Sequence, residues 1–261
     1  MDELNYWWPL LGVAIMRPLG ILFIFPLFSS SMLGGALKRN ALALMATLPI
    51  LPLFSKLVLP NPLEEPLHYS LVLLSELCIG LMLGFSAAIP LWALDMAGFV
   101  IDTMRGASMA GVFNPLLGGQ SSPIGSLFSQ LASVLFMVLG GFHSLLRALF
   151  NSYMYLSPGQ GWNWGSNFVP MLELLWHQLY SLALGCAMPT MVIMVLIDLA
   201  LGLINRSVQQ LNVFTLSMPI KSAMVLLMLL IALPFVISEI LENFAQFDGG
   251  LLLQLLGIRH E

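Results

Sequence analysis

The feature that most constrains this chain is a series of about six apolar runs, each about 20 residues or longer. The runs cover roughly residues 8–33, 41–59, 70–94, 126–150, 174–204 and 213–237. A helix of about 20 apolar residues spans a bilayer, because it bonds its own backbone polar groups within the segment. Charged residues make up only 8% of the 261 residues, against about 25% in soluble domains. The sequence therefore predicts an all-α integral membrane protein that forms one domain over residues 1–261.

Prolines fall within or beside most of these runs. Each proline removes a backbone donor and kinks or breaks a helix, and the freed carbonyl needs a partner from protein or water. We expect about six long helices, kinked or broken and packed against other protein. The prolines concerned are Pro18, Pro26, Pro49, Pro52, Pro90, Pro189, Pro219 and Pro234.

Small residues in the third run indicate close helix packing. In the sequence GLMLG, Gly80 and Gly84 lie four residues apart and share a helix face, which Ala88 extends. Small residues at this spacing let two helix backbones approach closely. The pattern predicts a packing face and identifies no partner.

Several charged residues lie at membrane depth, where an unpaired charge is costly. Asp102 and Arg105 are three residues apart and would share a helix face, and Arg147 in the next run is a candidate partner for Asp102. Two interpretations stay open at this point. The charges are internal pairs that fix helix register, or the carboxylates of Asp95, Asp102 and Asp198 couple ions in a secondary transporter. The full set is Arg17, Glu76, Asp95, Asp102, Arg105, Arg147 and Asp198.

The connectors indicate an orientation. Lys38, Arg39, Arg105, Arg206 and Lys221 fall on one side of the alternating spans. Positive residues favour the cytoplasmic side, so both termini are expected on the opposite side.

The residue pattern argues against the common kinds of chemical site. No two of the four histidines lie within four residues of each other, so no metal-binding helix of the HExxH type is present. The sequence GQSSPIG does not match the nucleophile elbow, and no GK[ST] follows its glycines as in a phosphate-binding loop. No basic cluster suits nucleic acid, and Cys78 and Cys186 are expected to be small core residues. We expect no catalytic residue, cofactor or metal.

Residues 97–159 resemble a known family. They contain DTMRGASMA, then FNP, then QSSPIG, and then an apolar run that is followed by LSPG. A second block, LGLINRSVQQLNVFTLSMPIK at residues 201–221 (the C-terminal block), has the same family's Arg, Gln-Leu-Asn-Val-Phe and Pro-Ile-Lys pattern. The chain resembles the FliR/SctT family of type III export-apparatus proteins over nearly its whole length. Asn114 and Gln209 stand where flagellar members often have other residues, which favours the injectisome branch.

This resemblance implies a non-enzymatic subunit of a protein export gate in the bacterial inner membrane, raised toward the periplasm after assembly. The implied partners are SctR-like and SctS-like gate subunits, an SctU-like switch protein, inner rod and needle components, unfolded polypeptides in transit, and membrane lipid. The resemblance also implies an SctR-like part, approximately residues 1–180, followed by an SctS-like helical hairpin, approximately residues 181–261.

In such a gate, the segment after the third long helix closes the pore. Carried over to this sequence, it is the 106–122 segment, with Arg105, Gly106 and Gly111 as its anchor and hinge. Its glycines supply backbone freedom, and its apolar side chains can seal a pore by excluding water. The residues expected to form the plug are Met109, Val112, Phe113, Asn114, Pro115, Leu116, Leu117, Gly118 and Gly119.

Overall fold

A computed structural model describes residues 2–29, 34–56, 60, 62–107, 122–159, 168–208 and 212–246. These residues form α-helices and two short 3-10 helices, with no strand among them, so the predicted all-helical fold is confirmed. The helices are α1 (Asp2–Ile24), α2 (Ala36–Thr47), α3 (Pro66–Met104), α4 (Pro123–Val138), α5 (Gly141–Tyr155), α6 (Phe168–Ser207) and α7 (Val213–Gln246). The 3-10 helices are Pro26–Phe28 and Leu51–Lys56.

Four stretches of the described helices are long and apolar enough to cross a membrane, and a fifth is possible if the bent pair α4–α5 counts as one span. The four are Trp7–Ile24, Pro66–Met104, Phe168–Ser207 and Thr215–Phe244. Predicted run 41–59 is not among them, because α2 ends at Thr47 and a turn precedes the second 3-10 helix. Pro49 and Pro52 explain this end, since neither can donate a backbone hydrogen bond that would continue the helix.

Helix breaks do not fall at every proline. Helices α1, α3, α6 and α7 continue through internal prolines. The run predicted at 126–150 instead breaks at Gly140, between α4 and α5. Gly140 has φ +76°, a left-handed conformation that glycine adopts without a steric penalty.

The chain divides into two compact units. The first unit consists of Met1–Ile89, Gly140–Leu175 and Ala245–Glu261, and the second of Pro90–Leu139 and Trp176–Phe244.

In the first unit, α1 and α3 approach each other through glycines. A Cβ added to Gly80 would collide with the backbone of Arg17, and one added to Gly84 would lie 2.9 Å from the Cα of Ile21. A Cβ on Gly20 would lie 2.7 Å from the carbonyl oxygen of Leu77. Gly80 and Gly84, which the sequence placed on one packing face, therefore both lie against α1.

Arg17 is the most buried charge of this unit, with none of its surface exposed. Its Nε and one Nη donate to the two carboxylate oxygens of Glu76, and its other contacts are Ser152 Oγ at 3.2 Å and the Leu156 carbonyl at 2.7 Å. The guanidinium also lies 4.2 Å from the ring centre of Tyr153. The planar guanidinium suits this arrangement, because it presents several donors in a fixed geometry. The cluster joins α1, α3 and α5.

In the second unit, α3 packs against the start of α4. A Cβ on Gly98 would collide with the backbone of Gly125, so these two helices also meet backbone to backbone. Phe136 of α4 and Phe244 of α7 pack edge to face, with ring centres 5.3 Å apart. These contacts hold α3, α4 and α7 together in the second unit, which contains the candidate site.

Candidate functional site

The candidate site lies where α3 ends and α4 begins, at the two ends of the 106–122 segment. Arg105, Gly106, Ala107 and Ser122 are among the described residues. The predicted hinge residue Gly111 and the predicted plug residues lie outside the described residues; the latter are Met109, Val112, Phe113, Asn114, Pro115, Leu116, Leu117, Gly118 and Gly119.

One carboxylate, that of Asp102, contacts both ends of this segment. Its Oδ1 accepts a hydrogen bond from Arg105 Nε at 2.6 Å. Its Oδ2 accepts from Ser122 Oγ at 2.6 Å and from the backbone N–H of Ile124 at 2.9 Å. Asp102 is buried, and charge-assisted hydrogen bonds of this kind are about twice as strong as neutral ones. The carboxylate therefore ties residue 105 to residue 122.

The end of α3 is fixed by its local sequence. Gly106 has φ +85°, its N–H donates to the Thr103 carbonyl at 3.1 Å, and the N–H of Ala107 donates to the Asp102 carbonyl at 3.0 Å. These two bonds with a left-handed glycine form a Schellman motif, which satisfies carbonyls left free at a helix C-terminus. Gly106 was predicted as a hinge, and in the structure it occupies the helix-ending position of this motif.

The start of α4 is capped from the same carboxylate. Ser122 is the N-cap, and its Oγ accepts a hydrogen bond from the N–H of Gly125 at 2.9 Å. Pro123 follows at the first helical position, where a missing N–H costs nothing. The Asp102 carboxylate takes the next free N–H, that of Ile124, and its negative charge suits a helix N-terminus.

Helix α7 contacts the same place through the C-terminal block. Lys221 Nζ lies 2.7 Å from Asp198 Oδ1 and donates at 3.3 Å to the carbonyl of Met104, the last residue of α3. The side chain of Met218 lies against Gly106, where an added Cβ would be 3.4 Å from the Met218 Cε. The two sequence blocks that carried the family resemblance therefore meet at the start of the 106–122 segment, beside the end of α3.

The partners of Asp102 within the second unit are Arg105, Ser122 and Ile124. Arg105, three residues along α3, donates to Oδ1, while Ser122 and Ile124 donate to Oδ2. Arg105 needs no long-range packing to reach Asp102, because both lie on one helix face. Arg147, the other predicted partner, belongs to the first unit and is exposed on α5, and its pair with Asp102 stays a prediction.

Sequence reasoning missed the pair of Lys221 with Asp198 and the role of Ser122. The signal for the first was available, since Asp198 is a charge at membrane depth and needs a cationic partner. For the second, Ser-Pro before an apolar run is typical of an N-cap followed by a first helical position.

The hydrogen bonds of this site hold the end of α3 and the start of α4. No group of three His, Cys, Asp or Glu side chains that could hold a metal occurs among the residues the structure describes. Three of the carboxylates at membrane depth, Glu76, Asp102 and Asp198, are each in an ion pair with a cation. The fourth, Asp95, is exposed on α3.

Comparison with known proteins gives the family. Residues 8–247 match the family described as bacterial export proteins, family 1. The secretion system apparatus protein SsaT of Salmonella typhimurium is 41% identical over 246 residues, which is 94% of this chain and 95% of the relative. The Yop proteins translocation protein T of Yersinia pestis is 38% identical over 85% of this chain and 86% of the relative.

A flagellar relative is also similar to this chain. The flagellar biosynthetic protein FliR of Bacillus subtilis is 31% identical over 74% of this chain and 75% of the relative. Its identity is lower than that of the two secretion relatives, in the direction that Asn114 and Gln209 predicted. Because the family match covers nearly the whole chain, the chain belongs to bacterial export proteins, family 1, the non-enzymatic FliR/SctT family of multi-pass inner-membrane proteins in the type III secretion export apparatus.

Proposed function

We propose that this chain is a core structural subunit of the export gate and that its 106–122 segment plugs the protein-conducting pore. The observation that carries this proposal is the Asp102 carboxylate, which bonds Arg105 on one side of the segment and Ser122 and Ile124 on the other. A segment held at both ends by one buried group has a fixed base. It can close a pore at a defined place and be displaced without moving the helices that carry it.

The composition of the segment suits closure. Phe113, Leu116 and Leu117 supply apolar bulk, and an apolar constriction stops water and ions by dewetting. The segment between Arg105 and Pro123 carries no charge, so it offers no ionic contact to an unfolded polypeptide that must pass. These properties support a plug better than an ion-binding site.

Export-gate subunits are the partners that the family implies, and the outer surfaces of α6 and α7 are suited to them. Large apolar side chains are exposed along both helices. We propose that SctR-like and SctS-like subunits cover these faces, that residues 181–261 act as the SctS-like hairpin, and that an SctU-like protein binds the assembled gate. Inner rod or needle components would continue the channel for unfolded substrates.

The plug is tested by ion conductance of the assembled gate in a planar bilayer. Replacing Phe113, Leu116 and Leu117 with Gly removes the apolar bulk and keeps Arg105, Asp102 and Ser122. We expect this variant to assemble and to leak ions through the closed complex.

A matched control replaces Ser108 and Gln120, two polar residues of the same segment, with Gly. This control should conduct as little as the unaltered gate. A triple variant with unchanged conductance contradicts the plug. A chain that purified only alone and bound a small solute would instead support the ion-coupled transporter, although Asp102 and Asp198 already have cationic partners.

A further inference from the structure

The start of α2 is strongly positive and has no part in the proposed gate. Lys38 and Arg39 lie in the first turn of α2, which contains no acidic residue, and the N-cap Gly35 offers no side-chain hydrogen bond. A helix N-terminus carries partial positive charge and free N–H groups, so basic residues there add to that potential. This end of the helix therefore favours an anion.

Arg39 provides a second, independent observation at this end of α2. Its Nε is buried and has no hydrogen-bond partner among the described residues. Its guanidinium lies 5.3 Å from the ring centre of Phe23, which holds the side chain beside the end of α1. A buried donor without a partner is unfavourable, and an anionic oxygen would satisfy it.

An apolar cleft that is partly open to its surroundings lies in the same unit, between α1, α2 and α5. Pro18 and Leu22 line it from α1, Leu42 and Ala46 from α2, and Leu145 and Leu149 from α5. Arg39, Leu42 and Ala46 stand at positions i, i+3 and i+7 of α2, so they share one helix face. Arg39 therefore lies just before the cleft-lining residues Leu42 and Ala46 on the same face of α2.

The basic residues and the cleft lie at the depths expected for the headgroup and the acyl chain of a membrane lipid. Phe23, beside Arg39, is one residue from Ile24, where the first candidate span ends. Along α1 the cleft runs from Leu22 back to Pro18, toward the middle of that span. The cations therefore lie at interface level and the cleft lies below them, on the side that the basic residues predict to be cytoplasmic.

We propose that an anionic phospholipid binds here, with its phosphate at Lys38, Arg39 and the free N–H groups of the first turn of α2, and one acyl chain in the cleft. Charge complementarity selects the anionic headgroup, since basic pockets between membrane helices on the cytoplasmic side bind such headgroups. The apolar cleft favours a lipid over free phosphate, because free phosphate has no acyl chain to place there.

Native mass spectrometry of the purified full-length chain tests this, with phosphatidylglycerol and phosphatidylcholine of identical acyl chains as probes. We expect the chain to retain phosphatidylglycerol in preference to phosphatidylcholine. Lys38→Gln and Arg39→Gln should each weaken phosphatidylglycerol binding about fivefold. Arg39→Lys should retain most of the binding, because it keeps the charge.

The cleft is tested by Ala46→Trp, which fills it and should abolish retention of both lipids. Ala41→Trp, at an exposed position of the same helix, is its matched control and should bind as the unaltered chain does. Arg206→Gln removes a basic residue elsewhere and should leave binding unchanged.

Three outcomes overturn the proposal: equal retention of the two lipids by the unaltered chain, an Arg206→Gln loss as large as that of Arg39→Gln, or full retention by a folded Ala46→Trp. The melting temperature of each variant without lipid shows whether it is folded. If Ala46→Trp does not fold, Arg39→Gln against Arg206→Gln decides the question, since neither substitution adds bulk.

Discussion

Pro18 leaves the carbonyl of Ala14 without its helical donor, because proline has no N–H to give to the residue four positions before it. The hydroxyl of Tyr153, on α5, donates to this carbonyl at 2.8 Å. Tyr153 is buried, and its ring packs on the guanidinium of Arg17. One residue thus compensates a helix defect and supports the buried ion pair of Arg17 with Glu76.

This compensation predicts an interaction between two substitutions. Tyr153→Phe keeps the ring and removes the hydroxyl, which leaves a buried carbonyl unsatisfied and should cost about 1–3 kcal/mol of unfolding free energy. In a Pro18→Ala background, the restored N–H can bond Ala14, so the same substitution should cost less. Unfolding in detergent, arranged as a double-mutant cycle, measures the difference.

Tyr180→Phe serves as the control for this cycle, because Tyr180 is exposed on α6. An equal cost of Tyr153→Phe in both backgrounds would show that the bond to Ala14 is not the origin of the effect.

At the scale of elements, glycines decide how close the helices come. Gly80 lies against the backbone of Arg17, and Gly98 lies against the backbone of Gly125. Among the described residues, none has an atom within 4 Å of the place where a Cβ of Gly185 in α6 would be. The same residue type therefore has opposite roles in α3 and in α6.

Alanine at position 80 and alanine at position 185 should change the stability of the chain in opposite directions. Gly80→Ala forces α1 away from α3, and overpacking of this kind typically costs about 1–3 kcal/mol. Gly185→Ala meets no neighbour in the described part of the chain and should raise stability by up to about 1 kcal/mol, through helix propensity. Melting temperatures of the two variants of the isolated chain measure both effects. A Gly80→Ala variant as stable as the unaltered chain contradicts close packing of α1 on α3.

At the scale of the whole molecule, many large apolar side chains of α6 and α7 are exposed. In an apolar window of 18 residues, only 22% of the window in α6 and 17% of that in α7 is buried, against 61% of the window in α3. The exposed side chains include Leu196 and Leu199 of α6 and Leu230 and Phe235 of α7. Lipid and neighbouring subunits are two kinds of cover for these faces, and lipid adapts to a bulky side chain while a packed subunit does not.

Gly185→Trp distinguishes these two surroundings. If a gate subunit packs there, we expect the isolated chain to melt as before and the yield of co-purified SctR-like and SctS-like subunits to fall about fivefold or more, equivalent to about 1 kcal/mol or more of overpacking. Leu67→Trp, at an exposed position at the start of α3, is the control. Unchanged co-purification would place Gly185 against lipid.

The sequence alone determined the class of this protein. Apolar runs of membrane-spanning length require helices, because a lipid environment leaves no other partner for the backbone. Local signals for the helix end at Gly106 and for the N-cap Ser122 are also present in the sequence, although Gly106 was predicted as a hinge and the role of Ser122 was missed. The helix-ending bond of Gly106 and the capping bond of Ser122 with Gly125 join residues only three positions apart. The family followed from two short blocks, since their residues can be compared position by position.

Only the tertiary structure decided which partners Arg17 and Asp198 take. The sequence shows that each of these charges needs a counter-charge, because an unpaired charge at membrane depth is costly. It does not show which one, because spacing relates residues within one helix and says nothing of how two helices face each other. Glu76 reaches Arg17 from 59 positions away, and Lys221 reaches Asp198 from 23, only after their helices have packed.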